Sequence, residues 1–179
     1  MTQIGHVYAQ GLYALVKDEN LSKQILEQLQ VLDKSFVQEP DFLRLLSSPN
    51  ISKEERCNIV DSAFRNKVHP YVLNFLKLLS EKGYAKHFHD CYQSYRQQYN
   101  EDNGILSVCA VTAVALTAQQ EQKLVDKLNA ITGKCVELVN RVDPKCLGGI
   151  RLDYDGKRID GTVRNRLDDI SDLLKKTVL

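Results

Sequence analysis

The residues most able to do chemistry lie close together near the middle of the chain. His87, His89 and Cys91 are types that bind transition metals or form thiolate–imidazole pairs. On a helix, however, side chains two residues apart point in different directions, and no paired cysteine or carboxylate cluster joins them. The pattern favours surface histidines and a buried thiol. A metal-dependent enzyme that uses these three residues stays open as the alternative function.

A second candidate is a group of glycines late in the chain. Gly148, Gly149, Gly156 and Gly161 could cradle a phosphate through their backbone N–H groups. Neither G-x-G-x-x-G nor G-x-x-x-x-G-K-[ST] occurs, and Gly149 leads into a predicted strand rather than a helix. Tight backbone geometry is therefore the favoured interpretation of these glycines.

The nearby carboxylates are the third candidate. Asp153, Asp155 and Asp160 could bind calcium, but their spacing lacks the glycine and the final glutamate of an EF-hand loop. No G-x-S-x-G nucleophile motif is present either. We therefore predict no catalytic residue, no bound cofactor and no metal ion.

Composition excludes several classes of protein. The chain has 179 residues with 24 Lys and Arg against 23 Asp and Glu, whereas nucleic-acid binding proteins and polybasic membrane anchors usually show a basic excess. The longest nearly apolar run, Ile105–Leu116, is shorter than the roughly 20 residues that a membrane span needs. Residues 1–15 lack the features of a signal peptide, so we expect a protein that is cytosolic or faces the cytosol. The five cysteines are odd in number and scattered, which predicts reduced core thiols: Cys57, Cys91, Cys109, Cys135 and Cys146.

The distribution of aromatic residues divides the chain into two parts. The chain has 8 Tyr and 5 Phe residues, and all of them except Tyr154 precede residue 104. The polar stretch Asn100–Gly104 is the best candidate linker. We therefore predict two domains, residues 1–103 and residues 104–179.

Hydrophobic spacing and capping signals predict helices throughout the first part. Asn20 is a candidate cap for a second helix, and Ser52 with Glu55 forms a capping box. Pro40 and Pro70 suit first helical positions, and Gly83 suits a helix end. The result is a predicted bundle of six helices.

The second part changes to shorter, alternating patterns. Ile105–Leu116 reads as a central strand, and a capping box of Thr117 and Gln120 begins a helix that Gly133 ends. A strand through Val142 follows, and then a hairpin that turns at Asp155-Gly156. A last helix carries an apolar stripe formed by Val163, Leu167, Ile170 and Leu174. The predicted fold is α+β overall, a six-helix bundle followed by a small α/β domain in the order strand, helix, strand, hairpin, helix.

Several segments together resemble a known family. The most specific are Val-Asp-Pro-Lys-Cys-Leu-Gly-Gly-Ile-Arg-Leu at 142–152 and the stretch at 155–167 that contains Ile-Asp-Gly-Thr-Val. Tyr8-Ala9 with Leu12-Tyr13, and Thr112-Ala113 with Leu116-Thr117, add weaker matches. The chain resembles the delta subunit family of bacterial F-type ATP synthase, the counterpart of the mitochondrial oligomycin-sensitivity-conferring protein. It departs from the family pattern at Gly11, Cys146 and Thr162.

The resemblance implies a non-catalytic connector in the peripheral stalk, or stator, of a complex for ATP synthesis and proton transport. In this family the helical bundle holds the N-terminal helix of an alpha subunit, and the C-terminal domain holds the cytoplasmic ends of the b subunits. The connector stops the catalytic head from turning with the rotor. The resemblance further implies one copy per complex, at the cytoplasmic face of the membrane, with no nucleic acid and no direct membrane contact.

Two sets of site residues follow from the resemblance and from surplus apolar surface. The alpha-subunit groove is predicted between the first and fifth helices, lined by Tyr8, Gly11, Leu12, Leu15, Tyr71, Phe75, Leu78 and Leu79. The b-subunit contact is predicted at Gly148, Gly149, Ile150, Asp160, Gly161, Val163, Arg164, Leu167 and Ile170. How the last helix divides between core and contact is not decided by its periodicity.

Overall fold

A computed structural model describes residues 2–48, 50–154 and 156–165 of the chain. It contains two compact units, Met1–Tyr99 and Asn100–Leu179. The division falls before residue 100, whereas composition places the junction after residue 103. Asn100, the first residue of the second unit, donates a hydrogen bond from its side chain to the Ser107 hydroxyl at 2.9 Å.

The first unit is helical, as predicted. Six α-helices begin among its described residues, and the last ends three residues after the unit does: α1 (Gln3–Lys17), α2 (Ser22–Gln38), α3 (Pro40–Leu46), α4 (Lys53–Phe64), α5 (Pro70–Glu81) and α6 (Phe88–Asp102). A short 3-10 turn, Ala85–His87, precedes α6. None of the helices that the structure describes is long and apolar enough to cross a membrane.

Local signals account for most of these helix ends. The Ser52 hydroxyl accepts from the Glu55 N–H at 3.2 Å, and the Glu55 carboxylate accepts from the Ser52 N–H at 3.0 Å, which confirms the capping box. Gly83 follows α5 with a φ of 72°. The prediction for Asn20 is wrong: Leu21 is the N-cap of α2, and Asn20 instead takes a left-handed turn with a φ of 58°. Asparagine tolerates that conformation because its short polar side chain bonds locally.

Aromatic side chains dominate the core of the bundle. Phe36 and Phe88 meet edge to face with ring centroids 4.9 Å apart, and Tyr13 and Tyr95 pack the same way at 5.2 Å. The hydroxyl of Tyr95 donates to the Ser22 carbonyl at 3.1 Å, and burial raises the pKa of Tyr95. These contacts pack α1 and α2 against α6.

The second unit is a mixed sheet with one long crossover helix. Its elements are β1 (Ile105–Thr112), α7 (Ala118–Thr132), β2 (Cys135–Val142), β3 (Ile150–Tyr154) and β4 (Lys157–Asp160), with a 3-10 turn at Pro144–Cys146. The strand order is β2-β1-β3-β4; β1 and β2 are parallel, and the other two pairs are antiparallel. The capping box of Thr117 with Gln120 and the left-handed Gly133 both appear at the ends of α7.

The first strand is shorter than predicted. It ends at Thr112 rather than Leu116 because Asn140 of β2 binds the chain that follows. The Asn140 amide donates to the Ala110 carbonyl and the Thr112 hydroxyl, and its oxygen accepts from the Leu116 N–H at 3.0 Å. These bonds turn the segment away from the sheet.

The cysteine prediction holds only in part. Cys91 and Cys146 are buried, and Cys57 and Cys109 are partly buried. Cys135 is exposed, so the expectation of a core thiol is wrong there, because this residue opens the edge strand β2.

The predicted last helix is described only at its start. Residues 163–165 are helical. Leu167, Ile170 and Leu174 lie outside the described residues, as does Asp155 of the predicted hairpin turn. The pairing of Tyr154 with Lys157 nevertheless places a two-residue connection between β3 and β4.

Candidate binding sites

The residues at 87–91 have separate neighbours. His89 Nδ1 lies 2.9 Å from an Asp33 carboxylate oxygen, and His87 Nδ1 lies 3.8 Å from Asp90. Cys91 is buried, and burial raises the pKa of its thiol to about 12. In the described part of the chain no group of three or more His, Cys, Asp or Glu residues could hold a metal ion.

The floor of the predicted groove between α1 and α5 is the bundle core itself. Leu12, Phe75 and Leu79 are all buried in the same hydrophobic cluster. Their side chains are held by packing with the other helices and form a fixed apolar base.

The rim of the groove is exposed and apolar. Leu15 of α1 is 62% exposed and Leu78 of α5 is 41% exposed, while Tyr8 and Tyr71 are partly buried against the core. These side chains remain available to a further partner. We refer to this surface, floor and rim together, as the α1–α5 groove.

Val7 shares an exposed face of α1 with Gly11 and Leu15 but is absent from the predicted set. It is 59% exposed and lies one helical turn before Gly11, which in turn lies one turn before Leu15. The spacing of four residues places these three positions on one face of α1. The same periodicity in the sequence could have identified Val7.

Gly11 is a gap in that exposed face. A Cβ atom placed on it would meet no heavy atom within 4 Å. Glycine in a helix interior costs about 1 kcal/mol relative to alanine. The described structure therefore offers no internal contact that requires glycine at this position.

The start of α1 is fixed against α6. The Thr2 hydroxyl donates to Asp90 at 2.8 Å and accepts from the Gly5 N–H at 3.3 Å; the first of these bonds lowers the pKa of Asp90. A Cβ on Gly5 would lie 2.7 Å from the Asp90 Cβ and 3.1 Å from the Cys91 nitrogen. The two helices therefore approach as closely as their backbones allow.

The other end of the groove is closed by one hydrogen bond. The Tyr71 hydroxyl of α5 donates to the Glu19 carboxylate, just after α1, at 2.6 Å. This bond to Glu19 raises the pKa of Tyr71, because the phenol is a donor only while it is protonated. At this end the bond links α5 to the segment that follows α1, whereas the start of α1 is held by α6.

The glycines of the second predicted site contact one another within the chain. Gly149 has a φ of 78°, and a Cβ on it would lie 2.5 Å from the Gly161 carbonyl oxygen. The Gly161 N–H donates to the Ile150 carbonyl at 3.0 Å, and the Val163 N–H donates to the Gly148 carbonyl at 3.0 Å. We call this arrangement of residues 148–150 and 161–163 the glycine clasp. The close backbone approach expected at Gly148 and Gly149 is therefore present inside the unit.

Asp160 and Thr162 shape the start of the last helix. Asp160 Oδ1 accepts from the Thr162 N–H at 2.9 Å and from its hydroxyl at 2.7 Å; the hydroxyl bond is the main cause that lowers the pKa of Asp160. The Thr162 hydroxyl in turn accepts from the Asn165 N–H at 3.3 Å. Threonine therefore supplies the cap, and Asp160 holds that threonine in place.

The predicted b-subunit set thus divides into two described groups. Gly148, Gly149, Ile150, Asp160 and Gly161 make the internal contacts just given. Val163 is 44% exposed, and Arg164 is also at the surface. An exposed apolar groove on a helical bundle is typical of proteins that hold a helical segment of another chain.

Comparison with known proteins identifies the family. The family model for the ATP synthase delta (OSCP) subunit matches residues 4–174. The ATP synthase subunit delta of Alkaliphilus oremlandii is 32% identical over 172 residues, which are 96% of this chain and 96% of that protein. The ATP synthase subunit delta of Clostridioides difficile is 31% identical over 98% of this chain and 97% of its own length. The chain belongs to the ATP synthase delta (OSCP) subunit family.

A solved structure supports the same fold. A chain in the cryo-EM structure of the Toxoplasma gondii mitochondrial ATP synthase hexamer matches 97% of this chain and 98% of its own length, with a TM-score of 0.78. Its sequence identity is 18%, so this likeness concerns the fold alone.

Proposed function

We propose that this chain is the peripheral-stalk connector, or stator subunit, of an F-type ATP synthase. It links the catalytic alpha/beta head to the membrane-anchored b subunits, so that the head does not turn with the rotor. The observation that carries the proposal is the exposed, apolar α1–α5 groove in a chain of the delta family. The chain acts by binding and catalyses no reaction itself.

The groove suits an amphipathic helix. Its floor is apolar and buried in the bundle core, and its rim carries the exposed apolar side chains of Leu15 and Leu78, which an amphipathic helix could cover. Gly11 lets the backbone of a bound helix approach α1 closely, because no side chain stands between them. The proposed occupant is the N-terminal helix of an alpha subunit.

The second unit is assigned to the b subunits. Val163, the last residue of the glycine clasp, and Arg164, which follows it, carry exposed side chains in the predicted contact. An arginine beside an apolar residue suits a partner that carries acidic groups near an apolar surface. Leu167 and Ile170 stay part of the proposal as residues outside the described range.

We infer the arrangement in the cell from the family resemblance. One copy of the chain serves each complex, and it lies at the cytoplasmic face of the membrane, to which only the complex attaches it. The metal-enzyme alternative is not pursued, because His87 and His89 lie beside different carboxylates, Asp90 and Asp33, and Cys91 is buried in the bundle core.

The variant L78D tests the groove. It places a charge on the apolar rim at a residue that is 41% exposed, so the bundle should fold while affinity for a peptide from the alpha-subunit N-terminus falls at least tenfold. Calorimetric titration of the full chain measures the affinity, and helical dichroism checks the fold.

A matched control is V37D on α2. Val37 is 69% exposed on a helix outside the groove, so its variant should bind the peptide as the unmodified chain does. Unchanged affinity in L78D, or an equal loss in both variants, would mean that the groove is not the binding site.

A further inference from the structure

The strand β2 lies at one edge of the sheet in the second unit. The Cys135 N–H donates to the Gly104 carbonyl at 3.0 Å, and the Asp143 N–H, just after the strand, donates to the Thr112 carbonyl at 2.8 Å. Because the backbone groups of a strand point to its two sides alternately, the odd-numbered residues of β2 direct their N–H and C=O groups toward β1. The even-numbered residues therefore direct theirs outward, away from the sheet.

Most of the outward N–H groups have no partner. The Val136 N–H donates to the Asn129 side chain of α7 at 2.8 Å. Within the part of the chain that the structure describes, no hydrogen bond occupies the outward N–H groups of Leu138, Asn140 and Val142. An edge strand with such groups can add a further strand.

The side chains on one face of β2 form a symmetrical pattern. Val136 packs in a cluster with Val125 of α7, so the odd-numbered residues lie on the face away from α7. Glu137, Val139 and Arg141 follow one another there, and all three are exposed, Val139 by 58%. An acidic, an apolar and a basic residue are thus equally spaced along the strand, with the valine at the centre.

This order makes β2 complementary to a second copy of itself. In an antiparallel pair with its two-fold axis at Val139, Glu137 of each copy lies opposite Arg141 of the other. If one copy slides by two residues, Glu137 lies opposite Asp143, a like charge. If it slides the other way, Glu137 lies opposite Val139, and Arg141 lies opposite Cys135. The charges therefore select the register that is centred on Val139.

The backbone fits the same register. The outward-facing Leu138 lies opposite Asn140 of the other copy, and Val136 lies opposite Val142, as the hydrogen-bonded pairs of an antiparallel ladder require. The N–H groups without a partner then donate to carbonyl groups of the other copy. Val142 is 47% exposed in the single chain, so its pairing with Val136 also covers apolar surface.

We propose that two copies of this chain associate through β2, in an antiparallel pair centred on Val139. A second copy is the occupant of this edge because its own order of charges supplies the complementary strand. The inference goes beyond the proposed function, in which one copy serves each complex, and it concerns chains that have not joined a complex. One pair of strands forms a small interface, so we expect a weak dimer with a Kd of about 0.1–1 mM.

Sedimentation analysis of three variants of the full chain tests the charge pairing. E137R places like charges opposite each other at both ends of the pair, and so does R141E, so each should raise the dimer Kd about tenfold. The double variant E137R/R141E places opposite charges together again and should return Kd to within about twofold of the unmodified value. A residue that only supports the fold of the unit would not be rescued in this way.

A cysteine at the two-fold axis tests the register. Cys109 lies beside Val139 in the pairing of β1 with β2, and Cys135 is exposed, so both are first replaced by serine. V139C in this background should form a disulfide between copies, because residues of such a pair have Cα atoms about 4.5–5.5 Å apart. The control is I131C in the same background, on α7 at a residue that is 81% exposed, which should cross-link far less.

Several outcomes would overturn the proposal. They are a chain that stays monomeric at about 1 mM, a double variant as weak as the single ones, and equal cross-linking of V139C and I131C. If hydrogen exchange of the Leu138, Asn140 and Val142 amides slows only when other synthase subunits are added, the edge binds a strand of another chain and the second copy is wrong. Affinity for the alpha-subunit peptide, which should be unchanged in E137R, tests the proposed function separately.

Discussion

The two candidate sites differ in what their glycine and exposed apolar residues contact within the chain. In the α1–α5 groove, Gly11 has open space around it and Leu15 is exposed, so the free chain makes little use of either. In the glycine clasp, Gly149 and Gly161 meet so closely that no side chain fits between them. Surplus apolar surface on a rigid helix thus indicates a partner, whereas the glycine motif indicates an internal contact. The residues that carry a family resemblance most specifically need not be the ones that bind.

The sharpest way to break this comparison is G149A in the clasp. Alanine would have to keep a φ of 78° and would place its Cβ 2.5 Å from the Gly161 carbonyl oxygen. That oxygen belongs to the backbone, so it cannot move aside as a flexible side chain could. The second unit should lose about 3 kcal/mol of unfolding free energy, from backbone strain together with overpacking. Hydrogen exchange of the β1–β3 amides measures this loss.

The control for the clasp is G156A in the hairpin. Gly156 also has a positive φ, 73°, but no atom lies near its Cβ position, so only the strain of about 1 kcal/mol applies. Both variants should bind the alpha-subunit peptide normally. Equal effects of G149A and G156A would show that the clasp is not a close contact.

A second prediction compares two glycines of the same helix. G5A should destabilise the first unit by about 1–2 kcal/mol, because its Cβ meets the backbone of α6 and overpacking outweighs the gain in helix propensity. G11A should instead stabilise the free chain by about 1 kcal/mol, since nothing opposes the added methyl group. Urea unfolding followed by helical dichroism measures both values.

Binding then tests the role of Gly11. If a partner helix approaches α1 closely at Gly11, G11A should lower the affinity for the alpha-subunit peptide while it stabilises the free chain. If G11A is more stable than the unmodified chain and binds the peptide with the same affinity, the peptide does not pass over Gly11.

Local rules predicted most of the fold, and distant contacts account for what they missed. Ser52 with Glu55 lies three residues apart, so the sequence contains the whole interaction. The end of β1 depends on Asn140, which is 28 residues from Thr112. No spacing rule links Gly149 to Gly161, because their contact exists only after the sheet has formed. The positive φ of Leu147 could not be predicted from the sequence either, since leucine is not a residue type that indicates a turn.

The smallest expected effect concerns acid. The hydroxyl bond from Thr162 lowers the pKa of Asp160 in the folded chain, while an unfolded aspartate has a pKa of about 3.9. The linked stabilisation is therefore complete above that unfolded value and is lost as the pH falls through the folded pKa. D160N does not titrate, so the stability of its second unit should fall less steeply below about pH 4. Hydrogen exchange at neutral and acid pH measures how the stability of the second unit changes with pH. D126N on α7 is the control for the change in charge. The same pH dependence in D160N and in the unmodified chain would contradict the role given to Asp160.

The most direct test of the connector is reconstitution on membranes stripped of the catalytic head and of this subunit. Head complexes added with the full chain should rebind and restore ATP-driven proton pumping, and head complexes added alone should not. The L78D chain should fail because it no longer holds the head, while V37D should succeed. Full pumping without the chain, or full pumping with L78D, would contradict the account that this subunit joins the head to the stalk through the α1–α5 groove.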